Sequence, residues 1–355
     1  MARLQTRLRR QAERCATDGS PLTAALLCGA ADDLERGGVV ADLLGTEERA
    51  PSGSVPALRL AGALHRLVLE GRVPELAAFY PSAGGAAAPA DVWPAAERAL
   101  RAHLAELRSA VLRPVQTNEP GRATLLLGGL LVLARDWPLP VRLLEVGASA
   151  GLNLHPDRYA HEVAGGVTLG DPASPVRVPG PWQGRLPPLG ATPRIVERAG
   201  CDLRPLDPRS PADRLTLTSY VWADQKARLD RLRAALRVAA AHPVTVEALS
   251  ASAFLDRELA TPRPGLLTVV WQSVVQQYLD PEEAARLARA VEVAGRRARP
   301  DAPLAWLAME PERVGGPSGV PFLLHLTTWP GGRSRTLARC HGHGPPVVWA
   351  DTGQG

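Results

Sequence analysis

Lysine is almost absent from this chain. Lys226 is the single lysine among 41 basic residues, and the net charge of +5 rests on arginines dispersed along the sequence. No basic run is interleaved with aromatics. That weighs against nucleic-acid binding, which needs a clustered electrostatic footprint. Cysteine is sparse as well. Cys15, Cys28, Cys201 and Cys340 lie far apart with no CxxC pair, which argues against a disulfide framework or a zinc site of the usual spacing. The longest apolar run, 123–134, is bounded by Arg122 and Arg135. It is too short for a bilayer and fits a buried helix. The opening MARLQTRLRRQAERC lacks the apolar core of a secretory signal. A soluble, cytoplasmic protein is expected, without membrane or nucleic-acid partners.

A hydrophobic share of 45% and a charged share of 22% are globular values, and 355 residues can bury a large core. Two textures divide the chain. Residues 1–137 read as helical. Leu4, Leu8, Ala12 and Cys15 form one apolar stripe, Leu58, Leu60, Leu64, Leu67 and Val68 form another, and a longer helix is expected over 93–112. Residues 138–355 alternate strands with helices. Strands are expected near 143–146, 194–196, 244–249, 266–271 and 304–309. A helix carries Leu229, Leu232, Leu236 and Ala239 on one face. Another opens at Asp280-Pro281 with Glu283 three residues on, and stops near Gly295. Alternating βα units imply a parallel sheet covered on both faces. The end differs, because 322–329 and 335–340 flank Pro330-Gly331-Gly332-Arg333 as a hairpin, with a short strand over 346–350.

The densest chemistry lies in Leu143–Leu154, LLEVGASAGLNL, expected to be a strand, a glycine-rich turn and the start of a helix. In a doubly wound sheet the first such turn sits where strand order reverses, and small residues let a ligand approach the backbone. A turn that serves only helix packing would look the same in isolation. GxSxG also invites a hydrolase reading with Ser149 as nucleophile. The acid two residues before the first glycine, and the position on the first strand, count against it.

The spacing Glu145-x-Gly147-x-Ser149-x-Gly151 resembles motif I of S-adenosylmethionine-dependent methyltransferases, with serine in place of the commoner central glycine. The resemblance implies that Glu145, Gly147, Ser149, Gly151 and Asn153 contact the cofactor. It also implies a carboxylate for the ribose hydroxyls at the end of the next strand. Gly200-Cys-Asp202-Leu-Arg-Pro205 offers Asp202, with Asp171 as the fallback. An acid reading the adenine is not evident after the third strand, where only Glu247 and Ser252 present themselves.

Several further segments recur together in one family: Gln116-Thr-Asn-Glu-Pro-Gly-Arg122, Glu145–Asn153, Gly170-Asp-Pro-Ala-Ser-Pro175, Val221-Trp-Ala-Asp-Gln225 and the Trp329-Pro-Gly-Gly turn. The chain resembles an actinobacterial family described only as a domain of unknown function, and that likeness implies a methyltransferase-like fold. The expected fold is therefore α/β, a methyltransferase-like doubly wound sheet ending in an antiparallel hairpin, preceded by an all-helical N-terminal region.

The polar cluster before the apolar helix either caps it, with Thr117 or Asn118 as N-cap and Glu119 near the helix start, or presents Gln116, Asn118, Glu119 and Arg122 to substrate. Asp224 is a cap or a base, and Trp222 a packing or substrate-binding residue. Gln272, Ser273, Trp271 and Glu310 end strands four and five, where this fold places residues near the acceptor. Glu119, Asp224 and Gln272 are the catalytic candidates. His155, Asp157 and His161 lack the spacing of a metal site. The expected activity is methyl transfer from S-adenosylmethionine to a small-molecule substrate. The alternatives keep the fold without the donor, for an elimination or cyclisation, or make the chain a non-catalytic binding protein.

Overall fold

The computed structural model describes residues 1–50, 52–312 and 321–350. Two compact units emerge. The first comprises Met1–Thr117 with Ser210–Arg233, and the second comprises Asn118–Arg209 with most of the chain from Ala234 onward. They are not two consecutive stretches. The boundary expected after residue 137 falls beyond a helix that the second unit takes in, and a segment from 210 returns to the first.

The first unit is helical: α1 (Ala2–Thr17), α2 (Pro21–Glu35), α3 (Val39–Leu44), α4 (Pro56–Leu69), α5 (Pro74–Ala77), α6 (Val92–Ala102) and α7 (Leu104–Ala110). The stripe expected on the first helix is the buried one, Leu4, Leu8, Ala12 and Cys15. Proline begins α2, α4 and α5 at a position whose N–H has no partner in a helix anyway. The helix expected over 93–112 is divided at His103, whose φ of −115° and ψ of 20° leave the helical range.

The second unit opens with α8 (Ala123–Asp136), buried at every position from Ala123 to Leu133. The remaining helices are α9 (Pro211–Ser219) in the first unit, α10 (Lys226–Ala241), and α11 (Ala251–Glu258) and α12 (Pro281–Gly295) in the second. The strands are β1 (Val141–Val146), β2 (Ala160–Val163), β3 (Val167–Gly170), β4 (Arg177–Pro179), β5 (Trp182–Gln183), β6 (Ile195–Asp202), β7 (Thr245–Ala248), β8 (Leu267–Ser273), β9 (Leu304–Pro311), β10 (Phe322–Trp329), β11 (Arg333–His341) and β12 (Gly344–Trp349). The large sheet runs β5-β12-β11-β10-β9-β8-β1-β6-β7, and β3-β2-β4 form a small one. From β7 to β9 neighbours are parallel. From β9 through β12 they are antiparallel. This is a mixed α/β unit with a parallel centre and an antiparallel end.

Both faces of the centre are covered. Val141, Leu143, Trp271 and Leu307 share a core with Leu126, Leu130 and Leu133 of α8. Leu144, Val146 and Val270 pack with Phe254 of α11 and Leu287 and Val291 of α12. Every residue of β1 is buried accordingly, as expected for a strand covered twice. Asp280 caps α12, accepting from the Glu283 amide at 2.7 Å, as its spacing predicts.

The helix expected after the glycine turn does not form. Two short 3-10 turns, Leu152–Leu154 and Pro156–Arg158, stand in its place. Pro156 is the reason. It has no N–H to donate to the Leu152 carbonyl four residues back, and it disfavours helical dihedrals at His155. The hydroxyl of Tyr159 donates to that carbonyl instead.

Close packing of α8 on the sheet yields a first test. A Cβ at Gly128 would lie 2.7 Å from the Trp349 ring, inside van der Waals contact. Gly128→Ala is expected to destabilise the protein by about 1–3 kcal/mol despite its gain in helix propensity. Equilibrium denaturation checks it.

Candidate functional site

Strand order reverses at β1: the chain leaves it toward β6 and β7, then returns to its other side with β8 and β9. Ligands of open α/β sheets bind outside the carboxyl ends of strands at such a point. The turn 147–152 occupies it. Gly147 and Gly151 have φ of +70°, and Ser149 has φ of +52°, so three alternate residues lie in the left-handed region that favours glycine. A Cβ at Gly147 would meet Val275 Cγ2 at 2.6 Å, and one at Gly151 would meet Val244 Cγ2 at 2.8 Å. Both glycines are required by dihedral and by space.

The turn's amides are held from within the chain. Ala148 N donates to the Cys201 carbonyl at 2.9 Å and Gly151 N to the Ala148 carbonyl at 2.7 Å. Ser149 N donates to Asp202 Oδ2 at 3.0 Å. Ala150 N and Leu152 N both donate to Asn118 Oδ1, at 3.2 and 3.0 Å. Two side chains remote in sequence thus brace the turn. Asp202 ends β6, and its Oδ1 accepts from Arg204 N at 2.8 Å. Gly147 itself is exposed, and Asp202 partly so.

Beneath the turn lies a buried polar layer. Glu145 is 1% exposed, and its Oε2 has no partner. Asn153 Oδ1 is likewise buried and unpartnered. Burial holds the Glu145 carboxyl well above its ordinary range, against the opposing pull of the Asn153 amide and the Arg122 charge. Glu145 and Trp271 are cross-strand partners in the β1–β8 register. Arg122 reaches the strand ends from the turn before α8, donating to the carbonyls of Ser273 at 3.2 Å and Gly342 at 2.9 Å.

Glu310 is another buried carboxyl, also raised by burial. Its Oε1 accepts from Gln272 Nε2 at 3.0 Å, Val275 N at 3.0 Å and Gln276 N at 3.4 Å. Gln272 is fully buried, and its carbonyl oxygen accepts from Trp306 Nε1 at 3.2 Å. Both ends of its amide are engaged within the protein, so this catalytic candidate acts as a support for Glu310.

The second unit therefore gathers Asn118, Glu119, Arg122, Glu145, Gly147, Ser149, Gly151, Asn153, Asp202 and Gln272. It does not contain Gln116, Trp222 or Asp224, which belong to the first unit. Asp224 accepts from Ser20 Oγ at 2.5 Å and Leu22 N at 2.9 Å. It closes the start of α2 rather than capping the helix that follows it in sequence. Trp222 packs in the first unit's core under the Arg228 guanidinium. Glu119 accepts from Gly121 N at 3.0 Å and caps the 3-10 turn before α8, while Asn118, offered as the helix cap, accepts from the turn after β1 instead.

The secondary candidates fall elsewhere. Asp171 accepts from Ala173 N and closes an exposed turn. Glu247 pairs with Arg257, and Ser252 donates to Glu283. Asp157 pairs with Arg198 at 2.7 Å. His161, held neutral by burial with a pKa of about 4, lies between Thr124 and the Pro156 carbonyl. Among the described residues no group of His, Cys, Asp and Glu is arranged to hold a metal ion, and no helix is long and apolar enough to cross a membrane. The brace that Glu310 makes was not foreseen. A lone acid closing an otherwise apolar strand was the one signal for it.

The chain belongs to the family described as "Uncharacterized protein conserved in bacteria (DUF2332)", whose model matches residues 5–349. No curated protein and no solved structure matches it.

Two outcomes follow from the braced turn and its buried acid. Asn118→Ala leaves two buried amides without an acceptor and is expected to cost about 1–3 kcal/mol per amide, with Asn118→Asp recovering part of the loss in chemical denaturation. Glu145 carries the opposite sign. Its folded pKa is raised above the ordinary 4.5, so the folded state binds the proton more tightly. Stability falls as pH rises from that value toward the raised one. Glu145→Gln removes this penalty. The variant's Tm is expected to exceed the parent's at neutral pH, with the gap closing as pH drops below the ordinary carboxylate range.

Proposed function

We propose that this DUF2332 member is an S-adenosylmethionine-dependent methyltransferase acting on a small molecule, with the cofactor across the carboxyl ends of β1 and β6. The observation that carries the reading is the pairing of exposed Gly147 with the Asp202 carboxylate at the switch point. Each oxygen of Asp202 accepts one backbone amide and keeps capacity for another donor, as two ribose hydroxyls require. The orphaned Oε2 of Glu145 and Oδ1 of Asn153 add acceptors suited to an ammonium group. By donor chemistry the residues fit the group.

The bound cofactor would supply an activated sulfonium methyl. The chain's own contribution is proximity and orientation. Asn118 and Asp202 hold the turn in one shape, Gly147 lets the ligand approach the backbone, and Arg122 offsets the charge of nearby carboxylates. Burial of Glu145 favours the protonated acid. A cationic group set against it favours ionisation instead.

A second reading keeps the fold and site but dispenses with the donor, for an elimination or cyclisation. The observation favouring it is that the amides of 148–152 are already engaged and the turn after β1 leads into a 3-10 turn and not an α-helix.

Calorimetry separates the two. Saturable binding of S-adenosylmethionine and S-adenosylhomocysteine is expected, weakened about tenfold or more by Asp202→Ala, in line with the loss of charge-assisted hydrogen bonds. Absence of binding at saturating concentrations overturns the methyl-donor reading.

A further inference from the structure

Val274 has φ of +59°, where a β-branched residue is a genuine outlier. Such a conformation persists only where its surroundings over-determine it, and it gathers at ligand sites. The surroundings here are explicit. Val274 N donates to the Met309 carbonyl at 2.8 Å, and Arg122 holds the preceding Ser273 carbonyl. Glu310 Oε1 then clamps the next two amides, Val275 N and Gln276 N, while Gln272 fixes the carboxyl from behind. The turn so held directs Val275 at the glycine turn after β1, at the place where a Gly147 Cβ would clash with Val275 Cγ2. Val275 is buried there.

We propose that Glu310 is a positioning residue: by bracing the strained turn 274–276 it seats Val275 under Gly147 and holds the 147–152 turn in its ligand-facing shape. The inference rests on reading that turn as the ligand-bearing surface, and does not depend on which ligand it bears. Gln272 and Arg122 are members of the same brace. The acid matters through one acceptor oxygen, which a glutamine also supplies.

Amide hydrogen exchange of the full chain, resolved by NMR, tests this without any ligand. Glu310→Ala is expected to speed exchange at 275 and 276, and also at 148–152, by about tenfold. Slow amides of α8 should keep their rates, and Glu310→Gln should restore values near the parent's. Val275→Ala is the second probe, because it keeps the backbone bonds to Glu310 and removes only the side chain under Gly147. It should loosen 148–152 while leaving 275 and 276 protected. Acceleration confined to 275–276 in Glu310→Ala, unchanged exchange at 148–152 in Val275→Ala, or no rescue by glutamine each overturns the proposal. Calorimetry with S-adenosylhomocysteine on the same samples keeps the two questions apart. A parent protein that binds none refutes the methyl-donor reading, and the exchange pattern alone decides the role of Glu310.

Discussion

The second unit depends on the way the turn after its first strand is satisfied from outside itself. A backbone that passes three times into the left-handed region cannot pair its own amides as a helix does, and buried amides without acceptors are costly. Asn118 answers two of them and Asp202 a third. One brace arrives from the segment before α8 and the other from the end of β6. Neither residue is near the turn in sequence, so the turn takes its shape only when α8, β1 and β6 are assembled. Local geometry and tertiary packing are therefore one event here.

Beneath that turn the site concentrates polar groups where water is excluded. Glu145 and Glu310 are both held toward the neutral acid by burial, each with one carboxyl oxygen unpartnered and each feeling Arg122. Unpaired buried polar atoms are rare in folded proteins and call for an explanation in function or bound water. Their placement at the ends of β1 and β9, flanking the end of β8, ties them to the point where strand order reverses. The strained Val274 lies in the same place. Strain, orphaned oxygens and glycine-favouring dihedrals converge there.

Much of this was legible from residues alone because its causes are local. The stripe Leu4, Leu8, Ala12 and Cys15 repeats with helical period and is the buried face of α1. The Asp280-Pro281 start of α12, the hairpin around Gly331-Gly332, and the acid at the end of β6 follow from capping, turn chemistry and strand texture. The glycine-rich turn after a buried strand was readable too, from its small residues, although the left-handed dihedrals at Gly147, Ser149 and Gly151 came only with the structure.

What only the tertiary structure decided is which distant groups meet. A pattern of residue types cannot say that Asp224 closes the start of α2, that Asn118 braces a turn more than 30 positions away, or that Gln272 faces Glu310 instead of a ligand. Those pairings depend on long-range packing, which has no period in the sequence. Nor could the strand texture reveal that Pro156 halts the expected helix after one turn, since that outcome also required Tyr159 to take the carbonyl left open. LLEVGASAGLNL was marked by its sequence as a glycine turn on a buried strand. Its fixed shape comes from partners that only the fold brings to it.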